Sequence, residues 1–188
     1  MTNTLVVNFF GPPGSGKSTA AAYIFSKLKM AGVNAEIVTE YAKDKVWEKN
    51  NEVFKNQLYI FGKQSFRLSR CIGKVDVILT DSPLPLSILY NQNECLTENF
   101  NKTVMDVFNS HINLNYFVKR VRKYNPAGRI QTEEESDALI VPLKNLLESR
   151  EIPYTEINGD VFDYDRVYSD VLSLIRTWNG GDTYAKMS

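Results

Sequence analysis

Eight residues near the amino end, Gly11-Pro12-Pro13-Gly14-Ser15-Gly16-Lys17-Ser18, constrain this chain more than any others. They spell G-x-x-x-x-G-K-S between a nearly all-apolar run, Leu5 to Phe10, and a segment with Ala20, Ala21, Ile24 and Leu28 at helical spacing. The run reads as a buried strand stopped by a forced turn, and the segment as a helix ended by Gly32. A loop free of bulky side chains can fold its backbone N–H groups around a phosphate at a helix amino end, where unpaired donors and the helix dipole favour negative charge. Gly11, Gly14, Ser15 and Gly16 supply that loop. Lys17 supplies charge for the outer phosphates, Ser18 a hydroxyl for Mg²⁺, and Thr19 is expected near the α-phosphate. The motif in this setting predicts binding of ATP or GTP.

Further strands are expected at Ala35 to Thr39, Val75 to Thr80, Leu114 to Lys119 and Pro153 to Ile157. Between them, helices are expected over Tyr41 to Asn50, Val53 to Arg70, Leu86 to about Tyr90, Phe100 to Ser110, Thr132 to near Arg150, and Tyr164 to Trp178. Thr132 as cap with Glu135 three residues on is a strong helix start. Strands alternating with helices imply an α/β fold of three layers, with a five-stranded parallel sheet covered on both faces. The 188 residues suit one domain, taken as residues 1–178 with a lid at about 119–132, and residues 179–188, which contain Gly180-Gly181, are expected to form a flexible tail.

Composition removes whole classes. Lys and Arg total 22, as do Asp and Glu, so the net charge is zero and extensive tracking along duplex DNA by bulk charge is disfavoured. Two cysteines, Cys71 and Cys95, and one histidine, His111, are too few for structural zinc and read as reduced thiols and an ordinary residue. No apolar run reaches the roughly 18 residues of a membrane span. The amino end lacks a basic region and a cleavage site, so a cytoplasmic setting is expected, the host's cytoplasm if the chain is viral, with no membrane partner.

In an open parallel sheet, ligands sit at the carboxyl ends of the strands. The second strand ends in Glu40-Tyr41-Ala42-Lys43 and the third in Asp81-Ser82-Pro83. Glu40 is the leading candidate for the base that takes a proton from an acceptor hydroxyl, and Asp81 either reaches Mg²⁺ or is itself the base. After the fourth strand, Lys119-Arg120-Val121-Arg122-Lys123 continues to Gly128-Arg129 through Pro126, a composition suited to a lid that brings Arg120, Arg122 and Arg129 onto the transferring phosphate. Gln57, Gln64 and Arg67 are candidate substrate contacts, whereas Phe54, Leu58 and Phe61 at helical spacing are expected in the core. No N-K-x-D guanine-reading element occurs, and Asp81-Ser82 lacks the Asp-Glu pair of ring-forming ATPases.

The order of the phosphate loop, Glu40-Tyr41-Ala42-Lys43, Gln64, Asp81-Ser82-Pro83 and Gly128-Arg129-x-Gln131-Thr132-Glu133-Glu134 resembles small P-loop kinases of the nucleoside and nucleotide kinase group. It looks closest to the AAA-domain type that includes nicotinamide-riboside-kinase-like proteins and bacteriophage ATPase/kinase proteins, and is related to deoxynucleoside and thymidylate kinases. The resemblance implies a P-loop NTPase fold with an arginine-bearing lid, ATP with Mg²⁺, and transfer of the γ-phosphate to a hydroxyl or phosphate of a nucleoside-like or nucleotide acceptor. It makes Glu40 similar to the base of deoxynucleoside kinases and sets Arg129 among lid arginines; Tyr41, beside Glu40, is a further candidate substrate contact. Where thymidylate kinases favour Asp-Arg, this chain has Asp81-Ser82, which removes an arginine that would hold an acceptor phosphate. Two alternatives stay open: a kinase acting on nucleic acid, at a strand end or a hydroxymethylated base, and a nucleotide-dependent switch or assembly ATPase. A homodimer is compatible with any of them. Lys17→Ala is expected to abolish transfer of label from γ-labelled ATP, because the charge on the β- and γ-phosphates is lost; normal transfer by that variant refutes the loop's assignment.

Overall fold

A computed structural model of the chain describes residues 3–49, 51–127 and 131–185. Its strands are β1 (Leu5–Phe10), β2 (Ala35–Val38), β3 (Val77–Thr80), β4 (Ile112–Lys119) and β5 (Thr155–Asn158). All are parallel, in the order β2-β3-β1-β4-β5. The helices are α1 (Lys17–Met30), α2 (Tyr41–Trp47), α3 (Gln57–Ser69), α4 (Leu86–Leu89), α5 (Glu98–Asn109), α6 (Glu133–Ala138), α7 (Ile140–Ser149) and α8 (Val161–Ala185).

Alternation along β1 explains the layers. Leu5, Val7 and Phe9 face α1 and α8, packing with Ile24, Leu28, Val167 and Val171. Val6 and Phe10 face the opposite side, where α3, α5 and α7 contribute Leu68, Phe100, Phe108, Leu143 and Leu147. This is the period of two expected of a strand buried on both faces. Asn8 also turns to that second side, and its amide donates to Asn113 Oδ1 at 2.9 Å and Asn115 Oδ1 at 3.0 Å, so a polar group in the central strand is satisfied.

Three expected helices differ in extent. The segment expected to be helical from Val53 to Arg70 is a 3₁₀ turn, Asn51–Lys55, followed by α3, because Asn56 caps α3 by accepting from the Tyr59 N–H. The segment from Thr132 to Arg150 divides at Leu139. Pro142 lacks the N–H that would reach back to Ala138, and its ring crowds that carbonyl, so the helix restarts with Pro142 in its first turn. The last helix runs past Trp178 to Ala185, since a glycine in a helix costs only about 1 kcal/mol.

Strand order reverses around β1. Its helix α1 covers one face, while α4 and α5, which follow the neighbouring β3, cover the other. A crevice therefore opens between the carboxyl ends of β1 and β3. Leu28 is fully buried in α1, well along the helix from the phosphate loop. Leu28→Ala is expected to lower unfolding stability by about 2–5 kcal/mol, measured by denaturant titration, through lost burial and the cavity left behind.

Candidate functional site

The phosphate loop follows β1 directly. Gly11, Gly14 and Gly16 all take positive φ. At Gly11 a side chain is excluded twice, by φ of +136° and by Val118 O, which would lie 2.6 Å from a Cβ. Gly16 occupies the cap position of α1, and no side chain caps that helix end. Its first-turn N–H groups are left for an anion. The Lys17 ammonium donates to the Gly11 and Pro12 carbonyls at 2.8 and 2.9 Å, closing the loop over itself.

Two outside elements brace the loop. In α6 the buried Ser136 hydroxyl donates to Pro13 O at 2.7 Å, and Thr132 and Glu135 form the full capping box. After β5, Gly159 lies so close that a Cβ there would meet Ser15 O, and the Tyr164 hydroxyl donates to Gly16 O at 3.2 Å.

Asp81, buried at the exit of β3, joins the loop to the exit of β2. Its carboxylate accepts from the Ser18 hydroxyl at 2.5 Å and from the Glu40 backbone N–H at 3.1 Å. Gln64, 3% exposed, holds the residues on either side of Glu40: its Oε1 accepts from Tyr41 N at 2.9 Å and its amide donates to Thr39 O at 3.4 Å. Arg67 adds a bond to Thr39 O at 3.3 Å. The backbone around Glu40 is thus held at three consecutive residues. Its side chain is not held. Glu40 stands at the cap position of α2 yet makes no capping hydrogen bond, and its carboxylate has no hydrogen bond or ion pair among the described residues. Burial pushes this carboxyl above the ordinary range, opposed by the charge of Lys17 and reinforced by that of Asp81.

Lys17, Ser18, Thr19, Glu40 and Asp81 share one cavity of about 390 Å³ with Gln57 and Gln64. Gly11, Gly14 and Gly16 also line it, and Ser15 is buried within the loop. Four other expected site residues lie elsewhere. The Tyr41 hydroxyl donates to Tyr59 at 3.0 Å, and Arg67 pairs with Asp44 at 2.5 Å while lying over the Tyr41 ring, so neither lines the cavity. Arg120 is drawn away by Glu133, at 3.4 Å, and Asp137 of α6, and lies over Tyr124. Arg122 is exposed, with its charge acting on Tyr164. Arg129 and Gly128 fall outside the described residues.

Sequence reasoning missed the far wall, where α4 and its flank contribute Leu86, Ser87, Tyr90 and Gln92. Burial, together with the charge of Glu40, pushes the Tyr90 phenol up to about 12. A signal existed: Ser87 and Tyr90 are polar groups three apart in an apolar turn, hence neighbours on one helix face. Leu58, expected in the core, is 54% exposed, because the buried stripe of α3 runs through Gln57, Ile60, Phe61, Gln64 and Leu68. Phe54 lines the cavity instead of the core. Ser18 and Asp81 form a pair of hard oxygen donors facing the cavity. That set fits Mg²⁺, which takes few protein ligands and keeps waters and phosphate oxygens. Among the described residues no cluster of three His, Cys, Asp or Glu side chains suits a metal held by protein alone.

Comparison with known proteins identifies the family and the fold. The AAA_28 family model, described as an AAA domain, matches residues 6–163. Thymidylate kinase from Ehrlichia chaffeensis superposes with a TM-score of 0.60 at 14% identity, covering 92% of this chain and 99% of that one. The structure of APE1195 does so at 0.52 and 20% identity, covering 93% and 98%. The superpositions, at these low identities, show a shared fold, the α/β P-loop NTPase fold. Protein RecA of Campylobacter jejuni subsp. doylei is 36% identical over 90 residues, 44% of this chain and 26% of that protein, so the match spans about a quarter of the relative's length.

The raised Glu40 carboxyl makes a stability prediction. A carboxyl whose folded pKa exceeds its unfolded value contributes stability that is complete below the unfolded value and lost as pH rises through the folded one. Glu40→Gln is therefore expected to be more stable than the parent at pH 8, with the difference shrinking toward pH 4 in paired denaturant titrations. A gap that grows on acidification contradicts the assignment.

Proposed function

This chain belongs to the AAA-domain family AAA_28, and we propose that it is a phosphotransferase that moves the γ-phosphate of Mg-ATP to an acceptor, a nucleoside-like or nucleotide molecule. One observation carries the reading: the Glu40 carboxylate, unpartnered among the described residues and held on a fixed backbone, faces the same cavity as the phosphate loop. A loop that only sensed nucleotide would have no use for an unpartnered base in the cavity beside it.

The chemistry follows from these placements. The triphosphate lies along the Gly11 to Thr19 loop, and Lys17 leaves the Gly11 and Pro12 carbonyls for the outer phosphates. Ser18 and Asp81 would hold Mg²⁺, which neutralises charge on the phosphate oxygens when bound. The acceptor hydroxyl oxygen forms a bond to the γ-phosphorus as the bond from that phosphorus to the β-bridging oxygen breaks, releasing ADP. The hydroxyl proton passes to Glu40. Burial favours this step, since a carboxylate with a raised pKa is the stronger base. It also requires Glu40 to be ionised beforehand, so transfer is expected to rise with pH through the elevated Glu40 value and then level.

A nucleotide-dependent switch or assembly ATPase is a second reading. It is favoured by the apolar side chains that α2 and α3 leave in water: Trp47 is 66% exposed, Leu58 54% and Phe66 68%. That reading predicts ATP turnover with no acceptor present. γ-Labelled ATP with pooled nucleosides, nucleotides, nicotinamide riboside and modified oligonucleotides separates the two by where the label goes. For the kinase, Glu40→Gln should lower transfer by about 10²–10⁴-fold while Mg-ATP still binds. Asp81→Asn should instead weaken Mg-ATP binding; chemistry lost with that affinity intact would move the base to Asp81.

A further inference from the structure

We propose that the compartment beside Glu40 takes an uncharged, hydroxyl-bearing acceptor with a flat ring, of the nucleoside class, and rejects its phosphorylated counterpart; this deepens the phosphotransfer reading above and rests on it. Besides the phosphate loop, Glu40 and Asp81, the cavity is lined by Phe54, Gln57 and Ile60 of the 3₁₀ turn and α3, by Ser87, Tyr90 and Gln92 of α4 and its flank, and by Lys43 and Val46 of α2. Apart from Lys43, the polar side chains among these are neutral. The Tyr90 and Ser87 hydroxyls and the Gln92 amide have no side-chain hydrogen bond among the described residues, and Gln57 uses one amide hydrogen on Phe54 O at 3.3 Å, which leaves its carbonyl oxygen open. Hydroxyls and amides of this kind exchange hydrogen bonds with sugar hydroxyls and with the edge of a ring, while Phe54 and Ile60 offer it apolar contact.

A phosphate dianion finds no such match among the described residues. The cationic side chains on the cavity, among the described residues, are Lys17 and Lys43. Lys17 belongs to the phosphate loop, and Lys43 is exposed on α2. Arg67, on α3, is directed to Asp44 and Thr39 O. Among the described residues no guanidinium lines the cavity to grip a phosphate with two parallel bonds, and the Glu40 carboxylate adds like charge where the phosphate would lie. A buried anion without a partner is strongly disfavoured, whereas a neutral hydroxyl beside Glu40 is the group a base needs.

Binding to the full-length protein tests this independently of catalysis. Calorimetry without ATP would be run on adenosine, guanosine, cytidine, uridine and thymidine, on each 5′-monophosphate, and on a short single-stranded oligonucleotide. At least one nucleoside is expected to bind tenfold or more tightly than its monophosphate. Tyr90→Phe is expected to weaken that nucleoside about three- to tenfold, with the ligand-free melting temperature kept near the parent's. A monophosphate that binds more tightly than its nucleoside overturns the proposal even if transfer proceeds, as does binding confined to the oligonucleotide or absent for every nucleoside. The expected order of binding with no transfer to any bound nucleoside supports the compartment's assignment and refutes the phosphotransfer reading alone.

Discussion

The Asp81 carboxylate joins the two halves of the site. One oxygen takes the Ser18 hydroxyl of the phosphate loop and the other the Glu40 backbone N–H at the end of β2. These segments lie on different strands that do not touch, with β3 between them in the sheet. A short, buried side chain at the exit of the intervening strand is the economical way to set their spacing, because a longer one would lose rotamer freedom to do the same. The distance between a nucleotide's last phosphate and the candidate base is therefore tied to the parallel register of β1, β2 and β3.

Around that link the molecule separates what is fixed from what is free. Gln64 and Arg67 hold the backbone on both sides of Glu40, Ser136 and Gly159 brace the loop, and the capping box of α6 anchors the helix that carries Ser136. The carboxylate itself is given no partner among the described residues. Leaving a half-buried, poorly solvated carboxylate without hydrogen bonds costs stability, and sites that do so trade stability for a group ready to react. Arg120 takes the opposite course, its guanidinium held in ion pairs with Glu133 and Asp137 of α6.

Much of this was readable beforehand. Leu5–Phe10 and the glycine loop were placed to the residue, since a continuous apolar run and a glycine-rich turn are local signals. Glu40 and Asp81 could be selected because strand exits carry the ligands of such sheets. The roles of Gln64 and Arg67 could not. Both read as substrate contacts, and each also bonds to the chain around Glu40, a pairing across more than twenty residues that no local pattern encodes. Tyr90 and Ser87 were passed over for a related reason: which face of a four-residue helix meets the cavity depends on where α3 lies opposite it.

By itself, then, the order of residues determined the parallel α/β sheet, the phosphate loop and the acids available near it, because strand periodicity, glycine conformation and helix caps act over a few neighbours. Only the packed structure decided which acid is bonded and which is open, which cations face the cavity and which are paired elsewhere, and that the far wall is neutral. Those outcomes depend on distances between segments far apart in the chain, and such distances exist only once the two faces of the sheet are covered.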